Sequence, residues 1–172
     1  HLEKGERKKA IALWQAVLDK HADSRILLPA ANSALALGLE SMAVKFSEKC
    51  IEKKDGHFPA FLLLFEMHRK RGRTEEAVKA LERMDKLASA AAGQRMQLAE
   101  AYEQIGRLDR AVKILEDLRK ARGAENMAED LEMHLAWLHS EVGNEEKALA
   151  RWKELWLRVE SVGRRRYIED RL

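Results

Sequence analysis

Apolar residues recur along this chain at helical spacing, and the pattern restarts at five glycines. GERKKAI from Gly5, GLESMAV from Gly38, GRTEEAV from Gly72, GRLDRAV from Gly106 and GNEEKAL from Gly143 share one form: Gly, four residues, Ala, then Ile, Val or Leu. Four and seven residues beyond each Ala stand Trp14 and Val17, Ser47 and Cys50, Leu81 and Met84, Leu115 and Leu118, Trp152 and Leu155. With the Ala they make an i, i+4, i+7 stripe, one face of a helix, in which only Ser47 is weak. Upstream, Leu64 with His68, Leu98 with Tyr102 and Ile105, and Leu135 with Leu138 and His139 repeat that period. A first helix therefore ends at the glycine and a second starts just past it. The glycines are 33, 34, 34 and 37 residues apart, a helical hairpin plus its connection.

This unit makes definite demands. The glycine suits the left-handed C′ position that closes a helix, and the small Ala lets two antiparallel helices approach closely. Ala10, Ala43, Ala77, Ala111 and Ala148 are accordingly expected to be buried. The chain divides into residues 1–23, a second helix without its first; hairpins 24–57, 58–91, 92–128 and 129–162; and residues 163–172, the start of a further helix. The unmatched end helices imply a piece of a longer array, because solenoids normally need polar caps at their ends. Connections are short, with Pro59 suited to the first helical position (N1) of the next helix and Gly93 placed in the loop SAAAGQ. At 121–128, ARGAENMA adds three residues, as a longer loop or an extended helix end.

The unit resembles the tetratricopeptide repeat family, whose repeat is a hairpin of about 34 residues. The best match is AEAYEQIGRLDRAVKIL, residues 99–115, with Leu98, Tyr102, Gly106, Ala111 and Leu115 at signature slots. The repeats are degenerate. Arg95 and Glu132 stand where Phe61 fills an early aromatic slot, Phe65 replaces a small residue, and no repeat ends in proline. The resemblance implies an all-α, right-handed superhelical solenoid of antiparallel hairpins, working as a non-catalytic scaffold for protein–protein interaction, of the kind that recurs within larger assemblies and export machines.

Composition agrees with an all-α fold. Of 172 residues, 46% are hydrophobic and 35% charged, and only two prolines, Pro29 and Pro59, interrupt the helix formers. Thirty-two basic residues nearly balance 29 acidic ones, which argues against a nucleic-acid partner. No run of 18 apolar residues could span a bilayer, and the compartment stays open. Cys50 has no partner for a disulfide or a CxxC site. His134 and His139 are five apart, on different helix faces, so neither a metal nor another cofactor is expected. Glu75, Glu76, Glu145 and Glu146 follow their glycines, where they complement a helix dipole and would repel phosphate. No catalytic constellation emerges, so the chain is read as no enzyme.

What remains is the surface of the first helices, which in the family resembled lines an inner groove. The slots facing it hold Arg25, Leu28 and Asn32; Leu62, Glu66, Arg69 and Lys70; Met96, Glu100, Glu103 and Gln104; and Met133, His134, Trp137 and Glu141. Mixed charge around Leu, Met and Trp anchors suits a protein or peptide partner. A fully buried Trp137 would remove the best anchor. The clamp of Lys, Asn and Arg by which some relatives hold acidic chaperone tails is matched here only at Asn32, with Leu28, Leu63, Gly93 and Gln97 in the other slots. Two rival readings are self-association through exposed end repeats, and binding of nucleic acid or an anionic surface by the basic run Arg164, Arg165 and Arg166.

Overall fold

The computed structural model describes residues 4–20, 23–52, 57–87, 91–121 and 128–172. These form ten α-helices: α1 (Lys4–Lys20), α2 (Ser24–Ala36), α3 (Glu40–Ile51), α4 (His57–Lys70), α5 (Thr74–Leu87), α6 (Ala92–Glu103), α7 (Leu108–Lys120), α8 (Ala128–Glu141), α9 (Glu145–Arg158) and α10 (Val162–Glu169). No strand occurs among the described residues. The chain divides into two compact units, residues 1–87 and 88–172. In the first, α2 pairs with α3 and α4 with α5, α3 packs on α4, and α1 lies against α3. In the second, α6 pairs with α7 and α8 with α9, α7 packs on α8, and α10 lies against α9.

One backbone device makes all four hairpins. Gly38, Gly72, Gly106 and Gly143 have φ of 69°, 67°, 73° and 75°. The glycine amide donates to a carbonyl three residues back, and the next residue's amide reaches five back, as in Arg107 N–H to Tyr102 O at 2.9 Å and Asn144 N–H to His139 O at 2.8 Å. This pair of bonds satisfies carbonyls the helix end would leave bare. A Cβ at any of these glycines would meet nothing within 4 Å, so the backbone angle, not crowding, demands glycine. The residue after the glycine then opens the second helix. Its carbonyl accepts from the repeat alanine, for example Ala77 N–H to Arg73 O at 3.0 Å and Ala148 N–H to Asn144 O at 3.0 Å. Turn and helix start are thus fixed together, and the alanine is delivered to the hairpin seam.

Ala43, Ala77, Ala111 and Ala148 are buried there. Ala10 is only half-buried. α1 packs on α3, without the paired helix that covers the other four alanines among the described residues. Gly5 also departs from expectation, since it lies inside α1 rather than in a turn. Gly93 lies within α6; with no left-handed bond pair to make, both are simply helical. Pro59 is not the first residue of α4 but the third, since the helix starts at His57; it still lies in the first turn, where the N–H has no intrahelical partner to lose. The three additional residues near 121–128 fall largely outside the described residues; α7 itself ends at Lys120.

Stripe residues, together with further apolar residues of the same helices, fill each unit's core. Leu27, Phe46, Phe61, Leu64, Phe65, Leu81 and Met84 are buried in the first, Leu98, Leu115, Leu131, Leu135 and Trp152 in the second. Each such side chain contributes roughly 1.5–3 kcal/mol by leaving water. Cys50 is fully buried, as a small thiol in a stripe slot should be. Ser47, the weak member, is also buried, and its hydroxyl has no hydrogen-bond partner among the described residues. Trp14 from α1 meets Phe46 edge-on at 5.5 Å, and Lys49 donates to the Leu18 carbonyl, closing the C-terminal end of α1.

Candidate protein-interaction face

In the second unit, helical spacing places Met96, Glu100 and Glu103 on one face of α6, and His134, Trp137 and Glu141 on one face of α8. The structure joins the two faces. His134 Nε2 lies 2.7 Å from Glu103 Oε1, out of line for a hydrogen bond, so that oxygen is buried without one. The His134 and Trp137 rings are 6.1 Å apart and tilted by 37°. Trp137 is half-buried and, with Met133, packs against the cluster of Ala136, Ala148, Trp152, Leu155, Val159 and Ile168. Trp137 is therefore not fully buried and keeps exposed surface beside that cluster. Met96, Glu103, Met133 and His134 are half-buried, whereas Glu100, Gln104 and Glu141 are exposed.

The first unit presents a different face. On α2, Arg25 folds back on its own helix cap, donating to Asp23 Oδ2 at 2.7 Å and holding that carboxyl below its ordinary pKa. Asn32 donates to the Leu28 carbonyl at 3.2 Å, one turn back. On α4, Leu62 and Glu66 are half-buried, Lys70 is exposed, and Arg69 pairs with Glu66 at 2.8 Å. The polar groups predicted to face a ligand here are mostly engaged with their own helices.

One constellation escaped the sequence reading. Arg151 of α9, nearly buried, donates to Glu116 of α7 and Glu132 of α8, and Arg119 lies 3.4 Å from Glu116 and 3.7 Å from Glu132. His139 meets Glu116 at 3.2 Å through Nε2. A carboxylate only accepts, so Nε2 carries the proton. Burial favours the neutral form of the Glu116 carboxyl, but the His139 hydrogen bond and the Arg151 and Arg119 charges hold its pKa below the ordinary range. The signal lay in Glu132, which looked like a departure from an aromatic slot and proves to be half of a cross-helix ion pair. His134 and His139 do face different neighbours, α6 and α7.

The basic run is largely occupied. Arg164 pairs with Glu129 and Asp130, while Arg165 lies over the Trp156 ring at 5.9 Å and donates to the Val159 carbonyl at 2.6 Å. Among the described residues there is no group of three His, Cys, Asp or Glu able to hold a metal. No helix there is long and apolar enough to cross a membrane.

With the geometry established, comparison places the architecture. Residues 68–132 match the tetratricopeptide repeat family. The chain resembles the solved structure of MamA at 15% identity and a TM-score of 0.56, covering 90% of this chain and 94% of that one. It also resembles YrrB, described as a TPR protein with an unusual peptide-binding site, at 13% identity and a TM-score of 0.54, covering 82% and 71%. No curated protein matches the chain. The fold is an all-α helical repeat of a kind that generally mediates protein–protein interaction and is typically non-catalytic. Residues 68–132, which carry the left-handed turns at Gly72 and Gly106, are thus similar in sequence to tetratricopeptide repeats, and the rest of the chain shares their hairpin fold.

Proposed function

We propose that the chain is a non-catalytic scaffold that binds a protein or peptide partner on its first helices, with the α6/α8 face as the principal contact. The carrying observation is Trp137, a large aromatic that keeps exposed surface while its other side is fixed against the α8–α10 core. Such amphipathic aromatics lose little entropy on binding and carry much of an interface's energy. Met96 and Met133, half-buried on the same helices, add adaptable apolar surface. YrrB, similar in fold, is described as having a peptide-binding site, which agrees with a peptide as ligand.

The test is a selection of displayed random peptides on the purified chain. Enriched peptides should lose roughly tenfold or more in affinity for Trp137→Ala, about 1.4 kcal/mol, with helicity retained. Lys113→Ala, an exposed change on α7, should leave affinity unchanged. Equal binding by all three proteins would move the site away from the first helices.

A further inference from the structure

The ion pairs reveal a charge on the α6/α8 face that composition hides. α6 and α8 carry six carboxylates, Glu100, Glu103, Glu129, Asp130, Glu132 and Glu141, against Arg95 alone, a net of −5 with histidines neutral. Their counterparts in the first unit, α2 and α4, carry Glu66 against Arg25, Arg69 and Lys70, a net of +2. Yet the chain as a whole is +3.

The structure separates the six into two sets. Glu129 and Asp130 are met by Arg164, and Glu132 by Arg119 and Arg151. These three are neutralised by the chain itself. Glu100 and Glu141 are exposed and make no ion pair with any described residue, and among the described residues Glu103 pairs with His134 alone. The carboxylates left over therefore sit on the faces that carry Met96 and Trp137.

We infer that this face recognises a basic segment of a protein partner, an apolar side chain seated at Trp137 and flanked by Lys or Arg reaching Glu100, Glu103 and Glu141. This rests on the binding reading above and adds the partner's charge. Opposite charge steers encounter and rejects wrong partners, and a guanidinium over the Trp137 ring would gain a cation–π contact. An acidic peptide or a nucleic-acid strand would meet like charge.

The same peptide selection tests it, now by composition. Enriched sequences should hold Lys and Arg in excess of the starting library, and their affinity should fall as salt rises from about 0.1 M to about 1 M, where the screening length shrinks from roughly 10 Å to 3 Å. Glu100→Lys combined with Glu141→Lys should weaken the basic peptides roughly tenfold and enrich acidic ones when selected anew. Peptides without charge bias, or acidic ones, that still depend on Trp137 would overturn this inference and leave the binding face standing. Basic peptides indifferent to Trp137→Ala and to the double lysine variant would overturn both, as would the absence of any enrichment.

Discussion

Glu48 and Glu116 stand at the same position after their hairpin glycines, and each receives an arginine 35 residues later on the following second helix, Arg83 in the first unit and Arg151 in the second. The outcomes differ. Arg83 and Glu48 meet at 2.9 Å with side chains 47% and 42% exposed. Arg151 is 13% exposed and is shared with Glu132 and, through Glu116, with His139. One repeat plan thus yields a solvated pair in one unit and a nearly dry network across three helices in the other. Sequence position sets who meets whom, but burial sets what the meeting is worth.

The difference can be broken directly. Arg151→Met leaves Glu116 and Glu132 with much of their compensating charge removed in a poorly solvated seam, and should destabilise the second unit by about 3 kcal/mol. Arg83→Met removes an exposed pair and should cost less than about 1 kcal/mol. Urea unfolding of both variants, followed by circular dichroism, measures the contrast. Equal losses would mean that the apparent burial of the Arg151 network has no energetic weight.

A second contrast concerns glycine. Gly106 is held at φ of 73°, so Gly106→Ala imposes a left-handed alanine and should cost about 1 kcal/mol even though a methyl would find open space. Gly93 lies on the first turn of α6 with nothing within 4 Å of an added Cβ, so Gly93→Ala should stabilise by about 0.5 kcal/mol. Both residues belong to the second unit, so thermal unfolding reads them against the same background. Shifts of the same sign would show that the turn geometry is not what selects Gly106.

These residues also mark what the sequence made legible. The hairpins were readable because they are local: a left-handed glycine, an alanine five residues on and a stripe at helical spacing all lie within one unit. The same token misled at Gly5 and Gly93, where a glycine sits in a helix's first turn and only backbone context tells the difference. On the first helices, helical spacing brought Glu103, His134 and Trp137 to faces that do meet. It could not show that Arg25 and Arg69 are spent on Asp23 and Glu66, because local pairing competes with presentation. The Arg151 network and the Arg164 pairing with Glu129 join residues on helices one repeat apart. Such partners are set by how adjacent hairpins stack, which no single repeat encodes.

The smallest effect is also the most local. The Glu116 carboxyl is held below the ordinary glutamate range by His139, Arg151 and Arg119 against the pull of burial. A folded-state pKa below the unfolded one means the group's stabilisation is complete above the unfolded value, near 4.3 by ordinary reference, and is lost as pH falls through the folded value. In wild-type protein the Glu116 side-chain carboxyl carbon, followed by NMR, should therefore titrate below the exposed glutamates. Removing the guanidinium by Arg151→Met should move that midpoint upward, since burial would then meet less opposition. The stability of the variant should correspondingly decline less steeply with acid over the same window, because less charge-dependent stabilisation remains to be lost. A Glu116 midpoint unmoved by Arg151→Met would assign the shift to His139 and Arg119 alone, and would make the arginine a packing element of the seam rather than its electrostatic centre.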